Sequence, residues 1–212
     1  MRSGAALIGT IAIAVAGASP AAAAKVELVK NAKVVVTEET LAPSESETVT
    51  GNRASVVVYL SGDESEITFA GGPARRETIT RGETVNEPAW AATLTNTGWV
   101  KLRLVRVEFL TAGSNVKWEM TGLPPNYKLI FEDEHSRTYD IRIAAHTWEP
   151  KHTHHDRVVV CLSGARLEHV LPDGSRQVSS LRTDEVVWRS AQTHKGHNLG
   201  KTDLWVIAIE PK

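Results

Sequence analysis

After residue 24 the apolar residues of this chain fall in short runs broken by Gly, Pro, Asn and Ser, with no sustained 3.6-residue recurrence. Val56–Leu60, Glu66–Ala70, Thr84–Glu87 and Val100–Phe109 are rich in β-branched residues and bounded by turn formers. Val158–Leu162, Arg166–Leu171, Glu185–Arg189 and Asp203–Ile209 have the same character. The pattern predicts an all-β chain with little or no helix, built as a sandwich or a jelly-roll barrel. Leu102, Leu104, Val107 and Phe109 alternate with one slip, which predicts a bulge in that strand.

The runs repeat. Val56-Val57-Val58-Tyr59-Leu60-Ser61-Gly62 returns as Val158-Val159-Val160-Cys161-Leu162-Ser163-Gly164, at an offset of 102. The same offset pairs Gly71-Gly72 with Asp173-Gly174, Glu83 with Glu185, Asn96 with Asn198 and Gly98 with Gly200. Residues 50–108 match 152–210 without an insertion, so the chain reads as two copies of one unit. Breaker-rich TAGSN (111–115) and GLPPN (122–126) separate them. The expected organisation is a signal peptide at 1–24, an N-terminal unit at 25–112, a linker at 113–127 and a C-terminal unit at 128–212.

The amino terminus changes the picture only in its address. Arg2, the uncharged apolar stretch Ala5–Gly17 and the Ala21–Ala24 cleavage region have the layout of a secretory signal, and the apolar stretch is too short to span a bilayer. A secreted or periplasmic protein with no membrane association after cleavage is the expectation. Cys161 is the single cysteine, so no internal disulfide can form. With 24 Lys+Arg against 25 Asp+Glu there is no basic footprint, which argues against nucleic acid as a partner.

The chemistry lies in the histidines. All eight fall at or after His135. His152 and His154, in an H-x-H pair, point to the same side of a strand, and His194 lies at another strand end. Three such imidazoles suit divalent Fe, Mn, Co, Ni, Cu or Zn and leave open positions for water or substrate. At the repeat offset the first copy carries Thr50, Asn52 and Ala92 instead. A shared metal would bring the three imidazole nitrogens within about 4 Å of one another, for bonds of ~2.0–2.1 Å.

These motifs resemble the cupin superfamily, specifically its two-barrel (bicupin) members. His152-Thr-His154-His-Asp-Arg-Val-Val-Val-Cys-Leu-Ser-Gly164 is similar to the first cupin motif, and His194-Lys-Gly-His-Asn198 keeps the H-x3-N of the second. The resemblance implies two tandem cupin (double-stranded β-helix, jelly-roll) barrels, the first degenerate, with His152, His154 and His194 as metal ligands in the second. Arg157 stands where the family carries a glutamate ligand, and a cationic side chain cannot ligate a metal. Asp156 or water could replace that ligand, or the pocket could have lost its metal. Two readings follow. One is an exported metal-dependent enzyme acting on a small organic molecule, with dioxygenation of the quercetinase kind as the best single reaction. The other is a non-catalytic periplasmic protein that binds or senses a small molecule or a metal. A monomer and a homodimer are both compatible with a chain that supplies two barrels.

The remaining candidates have plainer expectations. His155 and His197 sit at the opposite strand parity and should face outward, either being placed to shuttle protons at the barrel mouth. His135, His146 and His169 read as ordinary surface or strand residues, and Cys161 as a small buried hydrophobe. Trp148 and Trp188 read either as pocket lining or as core. The acidic stretch Glu38–Glu47 reads as a solvated loop. The first copy is expected to bury one sheet face against its sibling.

Overall fold

A computed structural model describes residues 23–70, 72–116, 118 and 123–212. Every regular element in them is a β-strand. The expected signal peptide lies outside the described residues except for Ala23 and Ala24, and Gly71 of the expected turn lies outside them too.

The N-terminal half comprises β1 (Ala24–Lys30), β2 (Val34–Leu41), β3 (Ser46–Val49), β4 (Ser55–Ser61), β5 (Glu64–Phe69), β6 (Ala74–Thr78), β7 (Thr84–Glu87), β8 (Ala92–Asn96) and β9 (Leu102–Phe109). The C-terminal half comprises β10 (Tyr127–Glu132), β11 (Ser136–Ile143), β12 (His152–His154), β13 (Arg157–Ser163), β14 (Ala165–Val170), β15 (Arg176–Leu181), β16 (Val186–Arg189), β17 (Gln192–Asn198) and β18 (Leu204–Pro211). Sheets ordered β1-β2-β9-β4-β7 and β3-β8-β5-β6 make the first barrel, and β10-β11-β18-β13-β16 and β12-β17-β14-β15 make the second. Each strand of one half has a counterpart nine places later in the other, and all paired strands are antiparallel. This is the jelly-roll double barrel that the strand pattern and motifs lead one to expect.

The valine runs are continuous because their strands are buried on both faces. In β4, Val57 and Tyr59 face the first barrel's interior core, while Val56, Val58 and Leu60 join a core shared by the two barrels. In β13, Val159 and Cys161 face the second interior, while Val158, Val160 and Leu162 join the shared core. Ile207 and Ile209 of β18 and Val105, Val107 and Phe109 of β9 complete that seam. The same geometry corrects the reading of β9. Its register with β2 is unbroken from Leu102 to Phe109, so there is no bulge in it. Leu102 and Leu104 point inward and Val107 and Phe109 toward the seam, which looks like a slip when only one face is counted as buried. The irregularity lies on the partner strand, between Tyr59 and Ser61.

Polar contacts fix the seam. Asp184 accepts hydrogen bonds from Arg81 at 2.5 Å and from Arg103 at 2.7 Å, and Lys33 meets Asp156 at 3.0 Å. Asp184 has φ +66°, and its offset counterpart Gly82 has φ +83°. A side chain at Gly82 would strike the Trp205 ring, so glycine is needed there both for conformation and for space.

The acidic stretch is not a solvated loop. Glu38 and Glu39 lie in β2 and Glu47 in β3, and Glu39 is fully buried. Arg106 contacts Glu39 at 3.1 Å and also pairs with Glu87, and Lys25 reaches Glu47 at 2.6 Å and Glu39 at 3.4 Å. Charges can be buried here because each meets its opposite inside the barrel.

Candidate metal centre and cavity

In the second barrel, β12 pairs with β17 so that His152 lies directly opposite His194. His152 and His154 alternate with exposed Thr153, whose hydroxyl meets Thr193 at 2.8 Å on the outer face. All three histidines are buried, and one ligand nitrogen from each lies within 4.8 Å of the others. The set expected from the sequence therefore comes together, slightly wider than the 4 Å expected. His194 is held back by His169, whose ring stacks on it at 4.4 Å, and by Gln192.

Hydrogen bonds orient the rings. His152 Nδ1 lies 2.8 Å from the Pro150 carbonyl and His194 Nδ1 lies 3.0 Å from Gln192 Oε1. Both acceptors require an N–H at Nδ1, which leaves Nε2 with its lone pair turned inward. His154 Nδ1 faces Glu210 at 3.8 Å, beyond hydrogen-bonding range. The Nε2 atoms of His152 and His154 are 2.9 Å apart, and the Tyr127 hydroxyl lies 3.1 and 3.3 Å from them. With no acceptor fixing the His154 tautomer, this contact is met either by His154 Nε2–H donating to His152 Nε2 or by a cation between two lone pairs. A spacing of 2.9 Å also matches two cis nitrogens on one metal with bonds of about 2.0–2.1 Å. The donor set thus fits a divalent metal.

The electrostatics favour the same state. Burial, with help from the Arg157 charge and neighbouring imidazoles, drives His154 far below the ordinary histidine range. Burial and His169 hold His194 down to about 3, and burial and Arg157 hold His169 to about 4. Neutral imidazoles are what a metal needs. Burial raises Tyr127 well above its usual value, so its hydroxyl stays protonated, and raises the Glu149 carboxyl as well.

His154 and His194 border a cavity of about 500 Å³ between the two sheets. One wall carries His154, His169 and His194, and the opposite wall carries Arg157 and Arg189 with Val159, Val206 and Ala208. Arg157 points into this space, as the motif position implies. Asp156 does not. It accepts from the Ala191 amide at 2.8 Å and pairs with Lys33, so it is no ligand. The stretch between H-x-H and Arg157 is one residue shorter than its counterpart in the first half. Ala92, the offset partner of His194, pairs with Val49 rather than Thr50. Val49 and Gly51 therefore stand at the His152 and His154 places, and the first half has one more residue before β4. The match without insertion fails at this point only. From β4 onward the offset of 102 returns, because Ser55 pairs with Glu87 as Arg157 pairs with Arg189.

Of the other sequence candidates, His155 is exposed and stacks on Trp118 at 3.8 Å, and His197 stacks on Trp148 at 4.0 Å. Neither lines the cavity, which corrects the idea of a shuttle at the mouth. Trp148 is likewise outside the cavity, whereas Trp188 borders it while packing on the shared core. His135 stacks on Phe109 and His146 has φ +60° in a turn, both away from the site. Cys161 is buried, its thiol pushed up to about 11 by burial, as expected of an inert core residue. Asn198 of the H-x3-N motif is structural: its amide donates to Ile143 O and Thr202 O, both at 2.9 Å. Asn96 does the same to Leu41 O and Val100 O. Three cavity residues were not singled out from the sequence in this role: His169, Tyr127 and Glu149. Parity on β14 could have marked His169; Tyr127, at the end of the expected linker, gave no signal.

No protein-family model matches the chain, and no curated protein matches it. Among solved structures, AerE from Microcystis aeruginosa aligns with a TM-score of 0.63 at 14% identity, over 90% of this chain and 98% of its own. A cupin 2 conserved barrel domain protein from Leptotrichia buccalis aligns at 0.59 and 14%, over 92% and 91%. An oxalate decarboxylase from Bacillus subtilis, described with Mn(II) centres, aligns at 0.56 and 12%, over 84% and 68%. At such identities the likeness is one of fold, and the fold is that of the two-barrel cupins.

Proposed function

We propose that the C-terminal barrel binds a divalent transition metal through His152, His154 and His194 and acts on a small organic molecule held in the adjoining cavity. The observation that carries this reading is the convergence of three buried imidazoles, with the Nε2 atoms of His152 and His154 2.9 Å apart and the outer nitrogen of His152 tied to a carbonyl. The Mn(II) centres of a protein with the same fold support the choice of a divalent ion. A metal bound there supplies Lewis-acid polarisation of a substrate oxygen and, if it is iron or manganese, access to dioxygen chemistry. The chain's own residues supply the rest. Tyr127 presents a protonated hydroxyl beside the ligand nitrogens, and Glu149, hydrogen-bonded by Asn126 at 2.9 Å, offers a carboxyl whose proton affinity is raised by burial. Ile141, Leu167 and Leu181 give the cavity an apolar wall that excludes water.

Dioxygenation is the reaction to test first, in a protein exported by its amino-terminal signal to the periplasm or the medium. The second reading, a non-catalytic binding or sensing protein, is favoured by Arg157, which occupies the place of a ligand carboxylate. Elemental analysis separates metal from no metal. Protein purified without chelator should carry close to one equivalent of transition metal, and the combined change of His152, His154 and His194 to Ala should remove it. Metal-free wild-type protein would refute the reading. Oxygen uptake with flavonols, catechols and 1,3-diketones then tests the reaction, and its absence across that panel would refute dioxygenation while leaving the metal in place.

A further inference from the structure

Two arginines of the second barrel are buried: Arg137 is paired with Glu132, whereas Arg157 has no ion pair among the described residues. Arg157 is 7% exposed, and the hydrogen bond it makes among the described residues is from Nη1 to the His155 carbonyl at 3.3 Å. Among those residues no carboxylate oxygen lies within 4.0 Å of its guanidinium. Its cross-strand neighbour on β16 is Arg189, which also lines the cavity and likewise has no ion pair among the described residues. Like charges opposite one another on a sheet destabilise it, and an unpaired buried charge costs several kcal/mol. The nearby carboxyls are engaged with other donors: Glu149, in the cavity wall, accepts from Asn126, and Glu210, outside it, accepts from the His155 amide at 3.3 Å. The imidazoles on the opposite wall bring no negative charge.

The first barrel has Ser55 at the place of Arg157, and its own buried arginine, from β9, is satisfied. There Arg106 is paired with Glu39 and Glu87, and the remaining cavity is about 90 Å³. At the place of Glu87 the second barrel has Arg189, and the space stands open at about 500 Å³.

We propose that this cavity is a receptor for an organic carboxylate, with Arg157 and Arg189 as its anchor. The proposal rests on the reading of the cavity as the binding site but not on the metal. A guanidinium presents two parallel N–H donors that fit the two oxygens of a carboxylate, and a low-dielectric wall strengthens the pair. The apolar surface of Ile141, Leu167 and Leu181 selects an acid with a hydrocarbon body over an inorganic anion. The anion would lie across the cavity from the histidine nitrogens, so that the carboxylate is fixed at one wall while the rest of the molecule faces the other.

The test is calorimetric titration of the full chain, both chelator-treated and as purified, with acetate and benzoate and with their neutral amides. At least one acid should bind about tenfold or more tightly than its amide, in the chelator-treated protein as well. Arg157→Met should lose about tenfold of that binding, keep the metal content of the wild type, and melt at the same temperature or higher in the absence of ligand. Equal binding of acid and amide, no binding of either acid, or an Arg157→Met variant that binds like wild type overturns the proposal. So does inorganic phosphate competing as well as benzoate. If Arg157→Met does not fold, Arg189→Met should show the same weakening, and the wild-type comparison of acid with amide stands by itself. Absence of metal from wild-type protein that still binds the acid would refute the metal reading alone.

Discussion

Arg106 and Arg157 are both buried, in equivalent barrels, with opposite consequences for stability. Arg106 neutralises Glu39, which is fully buried, and a change to Ala would leave that carboxylate with only the half-exposed Lys25 at 3.4 Å. Breaking a buried pair from one side costs about 3–5 kcal/mol, so Arg106→Ala should lower unfolding free energy by that much in urea titration. A loss below about 1 kcal/mol would mean that water reaches Glu39 and that the ion network is dispensable. Single residues were unequally legible in the sequence. His152, His154 and His194 were readable because spacing and strand parity put them on one face. Tyr127 was not, because it follows a breaker-rich stretch that gives no parity, and His169 was missed although it shares the inward parity of Ala165 and Leu167 on β14. Glu39 and Glu47 were misread because charge density along the chain does not reveal that partners lie 67 residues away in Arg106 or on Lys25.

At the scale of the element, the recurrent theme is a strand with two buried faces. Sequence patterns announce one buried face by alternation and two by continuity, and β9 with its even and odd positions in different cores looks irregular on the first criterion. The strands β4, β5, β7, β9 and their counterparts in the second half were therefore found close to their true bounds. Others, among them the central strands β2, β8, β11 and β17 as well as the edge strands β1, β3 and β6, were not, because their charged and polar residues resemble loops. The two-sided burial also predicts where truncation hurts. Ile207 of β18 is completely buried in the core between the barrels, with no room to collapse from either side. Ile207→Ala should cost about 2–5 kcal/mol, read as a shift of the urea midpoint at unchanged slope. A cost near zero would mean that the seam is loosely packed.

For the whole molecule, the seam decides how the chain comes apart. It joins β2, β4 and β9 of one barrel to β13 and β18 of the other in a single apolar cluster, and salt links from Arg81 and Arg103 to Asp184 border it. Opening one barrel would expose the other's valines to water, so thermal unfolding of the full chain should follow one transition, with calorimetric and van't Hoff enthalpies equal. Two separated transitions would show that the halves are held independently.

The seam also distributes freedom to change. On β4 and β13 the positions turned toward it match between the halves: Val56 and Val158, Val58 and Val160, Leu60 and Leu162. Several positions turned inward differ in kind: Tyr59 and Cys161, Glu87 and Arg189, Arg106 and Ala208. A wall that two rooms share cannot be moved for the sake of one, but each room can be refurnished. For anyone building new ligand chemistry into this scaffold, the inward positions of the N-terminal barrel are the place to diversify, and the valines behind them are the ones to leave alone.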